Sequence, residues 1–250
     1  MLPRASVLMP AYDAESTIRE AVASVLAQTE ANLELIVVDD ASSHPVSDVL
    51  ADVRDRRLRI IRHAQNRDVS AARNTALAAA RSPLVSQLDA DDAWEPEYLE
   101  SILPCFDDPS VGLAYADGHV TGDPARTTLI RNPAVHPIDR FPALAVENPI
   151  PSPTVTMRTD AVRAVRGYAR WLWGCEDYHL YLKLAHAGWR FAYVDRLLAT
   201  YRAPDPTRGR SYDSRRMLRN NVKLWIGFAL RHPRTPGAHA QVAKLVRALV

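Results

Sequence analysis

Three carboxylates stand within four positions at Asp89-Ala90-Asp91-Asp92, directly after the apolar run of residues 84–88. Like charges this close repel one another, so a chain that gathers them at a strand end commonly offsets the cost with a cation. Hard divalent ions take oxygen ligands, and Mg²⁺ in particular is held by one or two carboxylates together with substrate phosphates. The simplest reading is a metal bridging Asp91 to a diphosphate. The alternative is an acidic turn in which Asp92 caps a helix near Pro96. A second pair, Glu176-Asp177, follows the Gly174-Cys175 turn and opens a helical run. Such a carboxylate can take a proton from a hydroxyl, although helix capping and dipole complementation would also place an acid there.

Other residues with chemical potential precede these. Pro10, Ala11, Tyr12 and Glu15 stand at and just after the end of a first β-prone run, and Asp39 and Asp40 close a second. A carboxylate there can accept hydrogen bonds from a base N–H or from ribose hydroxyls. Tyr12 offers a flat face for stacking on a nucleobase. Arg73, near the start of an Ala-rich helix, can reach phosphate oxygens or the base, and the N-terminus of that helix favours anions. Each has a plainer alternative: Asp40 as an N-cap, Tyr12 as a rim residue, Arg73 as a surface charge.

These residues converge only if the elements place them together. Residues 5–9, 33–38, 58–62 and 84–88 read as strands, and 15–27, 46–53 and 69–80 as the helices between them. The second strand is continuously apolar, the mark of burial on both faces of a parallel sheet. Repeated β-α-β order means right-handed crossovers and a mostly parallel sheet, with all strand C-termini on one edge, where open α/β sheets bind ligands. Beyond Trp94 the rhythm changes: helices are expected at 97–106, 160–165, 177–188, 213–230 and 239–250, and short strands at 111–117, 155–158 and 191–194. The segment 118–153 has weak periodicity.

A chain of 250 residues with 47% apolar residues can bury a sizeable core as one large α/β domain with a helical appendage. The formal net charge of +2 demands neither nucleic acid nor an anionic membrane. Cys105 and Cys175 make neither a disulfide framework nor a zinc pattern, and the N-terminus lacks the features of a signal peptide, so a cytoplasmic setting is expected. No stretch approaches the roughly 18 apolar residues needed to span a bilayer. The basic residues Arg208, Arg210, Arg215, Arg216, Arg219 and Lys223 would allow peripheral contact at the inner face of a membrane. A helix packed on the rest of the chain through Met217, Leu218, Val222 and Trp225 is the plainer reading.

The segments ASVLMPAYDAES, ELIVVDDASS, RDVSAARNTALAAA and LVSQLDADDAWEP resemble the nucleotide-binding half of glycosyltransferase family 2, inverting enzymes with the Rossmann-like GT-A fold. The resemblance covers residues 5–103. It implies a GT-A catalytic domain over 1–203, divided into a nucleotide-sugar half (1–117) and an acceptor half (118–203), followed by a lid and helical extension (204–250). Carried over residue by residue, Tyr12 would stack on the base, Asp39 would bind it, Asp89 would sit near the ribose, and Asp91 would ligate Mn²⁺ or Mg²⁺. Asp13 stands where the family often has Asn. Glu-Asp before a Leu-rich helix resembles the family's acceptor-side motif, which makes Asp177 the catalytic base and Glu176 its support. Tyr201-Arg202 matches a pair whose arginine assists the diphosphate. UDP is the base carrier the family uses most, with dTDP and GDP also compatible.

The activity so implied is transfer of a sugar from a nucleoside-diphosphate-sugar to a glycan, lipid-linked or small-molecule acceptor, with inversion. The Gln-x-x-Arg-Trp signature of processive synthases is absent, which implies one sugar per encounter. Trp171, Leu172 and Trp173 could form an acceptor wall or core, residues 148–154 a pocket loop, and residues 203–212 a lid. The rival readings are a sugar nucleotidyltransferase, a phosphohydrolase and a non-catalytic nucleotide-sugar-binding protein. The first would need a Gly-rich N-terminal phosphate loop, and VLMPAYDAES has no Gly. The second would place its Asp-x-Asp motif after the first strand rather than the fourth.

Overall fold

Leu33–Asp39 (β2) is buried at every residue because it lies inside a sheet covered on both faces. Its side chains divide with period two: Leu33, Leu35 and Val37 enter one hydrophobic core, Ile36 and Val38 the other. The neighbouring Ala5–Ala11 (β1) repeats the division, with Val7 and Met9 on one side and Leu8 on the other. Burial of each such aliphatic side chain contributes about 1.5–3 kcal/mol.

In the computed structural model, which describes residues 2–121, 139, 144, 148–202, 214–235 and 237–249, these strands belong to an eight-stranded sheet. The remaining strands are Leu58–Arg62 (β3), Leu84–Gln87 (β4), Ala93–Trp94 (β5), Val111–Thr121 (β6), Thr156–Arg158 (β7) and Arg190–Arg202 (β8). The order is β3-β2-β1-β4-β7-β6-β8-β5. β1 pairs in parallel with β2 and β4, β2 with β3, and β6 with β8, whereas β7 is antiparallel to β4 and β6, and β5 to β8. Six strands therefore run one way, and only the two shortest run against them. The expected α/β sheet, mostly parallel, is present, and one edge collects the C-terminal ends of β1, β2, β4 and β8. Pairing of β1 with β4 stops at Leu8, so Pro10, which has no N–H to donate, lies past the last ladder position on that side.

One core includes the helix Ile18–Leu26 (α1), the single turn Val46–Val49 (α2) and Tyr98–Ile102 (α4). The other includes Val69–Ala79 (α3), Thr159–Ala164 (α5), Glu176–His186 (α6), Ser214–Arg231 (α7) and part of Ala238–Leu249 (α8). α7 buries Val222, Leu224, Trp225 and Phe228, and Trp225 meets Tyr178 edge-on at 6.1 Å. The expected C-terminal helices thus share the core of α3, α5 and α6, while residues 203–212 lie outside the described residues. No helix among the described residues is long and apolar enough to cross a membrane.

Three departures from the sequence expectation have physical causes. The helix expected over 46–53 ends at Val49, whose carbonyl is taken by the Arg19 guanidinium, while Val53 N–H turns back to Leu50. β8 runs from Arg190 to Arg202 instead of 191–194, paired along β6 with register shifts around Ala116–Gly118. At that irregularity the chains approach closely, and a Cβ on Gly118 would lie 3.0 Å from the Ala199 carbonyl oxygen. Ala93–Trp94 pairs with β8 although two residues carry no period of their own.

Candidate active site

The turn after β2 shows how an acidic residue is used as scaffold. Asp39 is 1% exposed and accepts hydrogen bonds from Ser42 N–H (2.8 Å), Val46 N–H (3.1 Å) and the Arg62 guanidinium. Burial raises its pKa, but these donors outweigh burial and hold the carboxyl below its ordinary range. Asp40 accepts from Arg67 N–H and lies 2.6 Å from His63 Nδ1, so it ties β3 to the loop before α3 and is not an N-cap. Asp13 has φ 48°, a left-handed conformation in which Asp and Asn are enriched. Its Oδ1 accepts from Ser43 N–H (2.7 Å), and its own N–H donates to Ser42 Oγ. An acceptor oxygen and tolerance of positive φ are shared by Asn and Asp, which explains either residue here.

Around this scaffold Tyr12 follows β1 and is 41% exposed, leaving ring surface for a base. Glu15 reaches His44 Nδ1 at 3.2 Å, beside a shallow depression of about 450 Å³ between the loop before α1 and α2. Pro10 and Ala11 are buried at the strand end, where their side chains are closed to a ligand.

The turn after β4 is built differently. Asp89 pairs with Arg73 Nη2 at 2.6 Å, and Arg73 Nη1 pairs with Glu176 at 2.9 Å. The guanidinium is 3% exposed and lies over the Tyr168 ring at 5.5 Å. Arg73 therefore does not reach outward for a phosphate or base, as expected from sequence: both amino groups are committed to carboxylates. It holds the turn after β4 against the start of α6, uniting elements 103 residues apart. The α3 N-terminus is likewise closed to an outside anion, because Asp68 caps Ser70 and Ala71 N–H with its own side chain. Asp68 does this at φ 71° and ψ 168°, a region that is essentially glycine's.

Asp92 is buried, accepts Arg202 N–H at 2.9 Å through Oδ1, and has no partner for Oδ2 among the described residues. It fastens β8 to the turn rather than capping a helix near Pro96. Burial, then Asp91 and Asp89, push its carboxyl well up. Ala90 is buried within the turn. Asp91 reaches solvent and receives no hydrogen bond from another described residue, yet desolvation in the crowded turn and repulsion from Asp89 raise its pKa to about 6. Among the described residues no group of three or more His, Cys, Asp or Glu converges as a metal cage. The donor set fits a hard divalent ion on Asp91 only with substrate phosphate oxygens completing its shell. The Arg202 guanidinium is turned to Glu20 (2.7 Å) and the Asp91 carbonyl, so it buttresses the turn instead of facing a diphosphate.

At the start of α6 Glu176 is buried in its ion pair, and Glu176 Oε2 has no partner among the described residues. Asp177 is only half-buried, and its Oδ1 accepts Tyr178 N–H at 2.6 Å. Burial raises the pKa of both, Arg73 opposes the rise, and Asp177 adds to it at Glu176. Leu172 is fully buried, whereas Trp171 is 49% exposed, so the tryptophans and not the leucine can form a wall. Ser152, in the expected pocket loop, accepts from Gln87 Nε2 through its carbonyl (2.9 Å) and hydroxyl (2.8 Å).

Sequence reasoning missed Tyr168 and Gln87. Tyr168 Oη donates to Gln87 Oε1 (2.6 Å), and Gln87 Nε2 donates to Tyr181 Oη (2.7 Å), which links β4 to α6 beneath Arg73. The one local signal was Arg166-Gly167, two successive positive-φ residues that turn Tyr168 back beneath the site.

Comparison with known proteins agrees with this architecture. The model of the family described as Glycosyl transferase family 2 matches residues 6–165. The chain is 40% identical over 112 residues to the Escherichia coli UDP-Glc:alpha-D-GlcNAc-diphosphoundecaprenol beta-1,3-glucosyltransferase WfgD, covering 45% of this chain and 44% of that protein. It is 34% identical over 115 residues to the Bacillus subtilis putative teichuronic acid biosynthesis glycosyltransferase TuaG, covering 45% and 46%. The chain spans about half the length of the curated relatives it matches. Its fold is similar to that of S. aureus TarS 1-349 in complex with UDP-GlcNAc (TM-score 0.77, 18% identity, 97% of this chain and 71% of that one). It is also similar to the Pyrobaculum calidifontis mannosyltransferase PcManGT in complex with GDP-Man and Mn²⁺ (TM-score 0.72, 20% identity, 100% and 70%). These likenesses give the sheet its name, GT-A, and with the family match over residues 6–165 the chain belongs to glycosyl transferase family 2.

Proposed function

We propose that the chain is a metal-dependent, inverting glycosyltransferase that moves one sugar per encounter from a nucleoside-diphosphate-sugar to an acceptor hydroxyl. The observation that carries this reading is the Arg73 guanidinium, which joins Asp89 of the donor turn to Glu176 beside Asp177. Donor and acceptor carboxylates are thereby held across one cleft, as group transfer requires.

In this reading Tyr12 stacks on the base, and Asp39 fixes the loop that meets it. Asp177 accepts the proton of the acceptor hydroxyl as its oxygen bonds to the anomeric carbon. The bond from that carbon to the diphosphate breaks on the opposite face, and the nucleoside diphosphate leaves with the electron pair. Glu176 stays ion-paired and orients the helix start. A divalent ion, Mn²⁺ or Mg²⁺, would be held by Asp91 with the diphosphate and would supply neutralisation of the leaving group's charge. UDP is the first donor to test, because the relative WfgD is named for UDP-Glc and the TarS neighbour holds UDP-GlcNAc; the GDP-Man complex of PcManGT keeps GDP in the set. The same relative's name makes a lipid-linked acceptor, and hence a cytoplasmic face of a membrane, the working assignment. The test is calorimetric titration of UDP-, dTDP- and GDP-sugars with Mn²⁺ or Mg²⁺. At least one pair is expected to bind and to release nucleoside diphosphate when acceptor is added, and failure of every pair to bind would end the proposal.

A further inference from the structure

Beside the cleft, α7 and the segment Arg170–Trp173 enclose a second concavity, of about 760 Å³. Among the described residues, the cations Arg170, Arg216, Arg219 and Lys223 line it together with one carboxylate, Asp68. That carboxylate is already engaged by the Ser70 and Ala71 N–H groups. Arg216, Arg219 and Lys223 stand at helical spacings of three and four, so they present one face. Arg170, Arg219 and Lys223 are exposed, and no ion pair joins them to a carboxylate among the described residues. Arg208 and Arg210 lie outside the described residues.

Concentrating Arg170, Arg219 and Lys223 in one concavity costs free energy that an anion would recover. The walls are also organised. The Arg216 guanidinium stacks over the Trp173 ring at 4.1 Å, and Asn220 Nδ2 donates to the Trp173 carbonyl at 2.8 Å. The half-exposed Trp171 adds an apolar flank. Trp173 precedes Asp177 by four residues, and Asp68 precedes Arg73 by five, so both walls are close in sequence to residues of the candidate site.

We propose that this pocket is an anion subsite for the acceptor, which takes a phosphate or diphosphate group while a neighbouring sugar hydroxyl lies at Asp177. This rests on the glycosyltransferase reading for its purpose, though not for the binding itself. A diphosphate could come from a lipid-linked or a water-soluble acceptor, and the chemistry recognised is shared.

The experiment is calorimetry of the full chain in EDTA with inorganic pyrophosphate and, separately, farnesyl diphosphate. Binding of one pyrophosphate per chain is expected, weakened about tenfold or more by Arg219→Glu combined with Lys223→Glu, while UDP binding with Mn²⁺ stays within about twofold. Tighter binding of farnesyl diphosphate points to a lipid-linked source, and equal binding to a soluble one; either supports the subsite. Pyrophosphate affinity unchanged in the double variant overturns it. Binding only to phosphatidylglycerol vesicles, with no pyrophosphate bound, overturns it in favour of a membrane-resting surface. Should the double variant fail to fold, Arg170→Ala on the surface segment carries the same test, with weakened pyrophosphate binding expected and no change overturning the proposal. If no nucleotide binds wild-type protein, the glycosyltransferase reading fails while the pyrophosphate result still stands.

Discussion

Asp39 ends β2 and Asp91 follows β4, strands that flank β1 and share one sheet edge, yet their surroundings are opposite. Asp39 is buried with three donors, and its carboxyl is held below the usual range. Asp91 is accessible, receives no donor from another described residue, and is raised to about 6. The first is a charge the fold has satisfied; the second receives no donor from the described residues, which suits the metal role proposed for it. The contrast extends to the acceptor side, where Glu176 is ion-paired and Asp177 beside it is available. Position at a strand end or helix start is therefore insufficient to assign a role.

The hardest test of this distinction is Asp177→Asn. Loss of a general base should lower transfer about 100- to 10,000-fold with nucleotide affinity little changed, measured by product formation and calorimetry. Retention of full transfer would remove the base assignment. Because Asp177 must be ionised to act and its pKa is raised, the wild-type rate should climb with pH through a limb above the ordinary carboxylate range, and this limb should vanish in the variant.

Arg73→Met should come next, destabilising the protein by about 3–5 kcal/mol in urea unfolding, since it strands a buried Glu176. Arg73→Lys keeps a charge but cannot bridge two carboxylates with separate amino groups. It should move the pH–rate limb upward, because Arg73 is the main influence lowering Asp177. A limb that does not move would separate Arg73 from the acceptor side.

Asp39→Asn should cost about 1–3 kcal/mol at pH 7. The pH dependence gives the sign: a depressed carboxylate contributes stability above its unfolded pKa and loses it as pH falls through the lower folded value. The variant should consequently converge on wild type in acid, followed by urea midpoints from pH 7 to 3. Asp91→Asn should do the reverse. A carboxylate raised to about 6 stabilises the fold when protonated and loses that contribution as pH rises through about 6. Without divalent ions the variant should therefore be the more stable protein at pH 7, by about 1 kcal/mol after discounting for solvent screening, with the difference disappearing near pH 4. It should also abolish any Mn²⁺-dependent gain in nucleotide affinity; persistence of that gain would dismiss Asp91 as the metal ligand.

Much of the donor half could be read from its local pattern. β3 occupies 58–62 as expected, α3 begins at Val69, and β2 carries its apolar run between two cores. The polar clusters after β1, β2 and β4 do meet on one edge, because βαβ connectivity determines strand direction before any contact is known. Other elements were less legible. The length of β8 and the existence of β5 depend on pairing with partners far along the chain, and two or three residues carry no period of their own.

Residue types and connectivity alone thus determined the parallel core, the acidic clusters and their shared edge, since these follow from periodicity and handedness. Tertiary structure alone decided which carboxylates are spent and which are free. Arg73, read from sequence as a phosphate contact, became the tie between Asp89 and Glu176, and the cations of α7 came to enclose a pocket with Trp171 and Trp173. Hydrogen-bond donors and burial come from residues up to a hundred positions away, and no local window contains them.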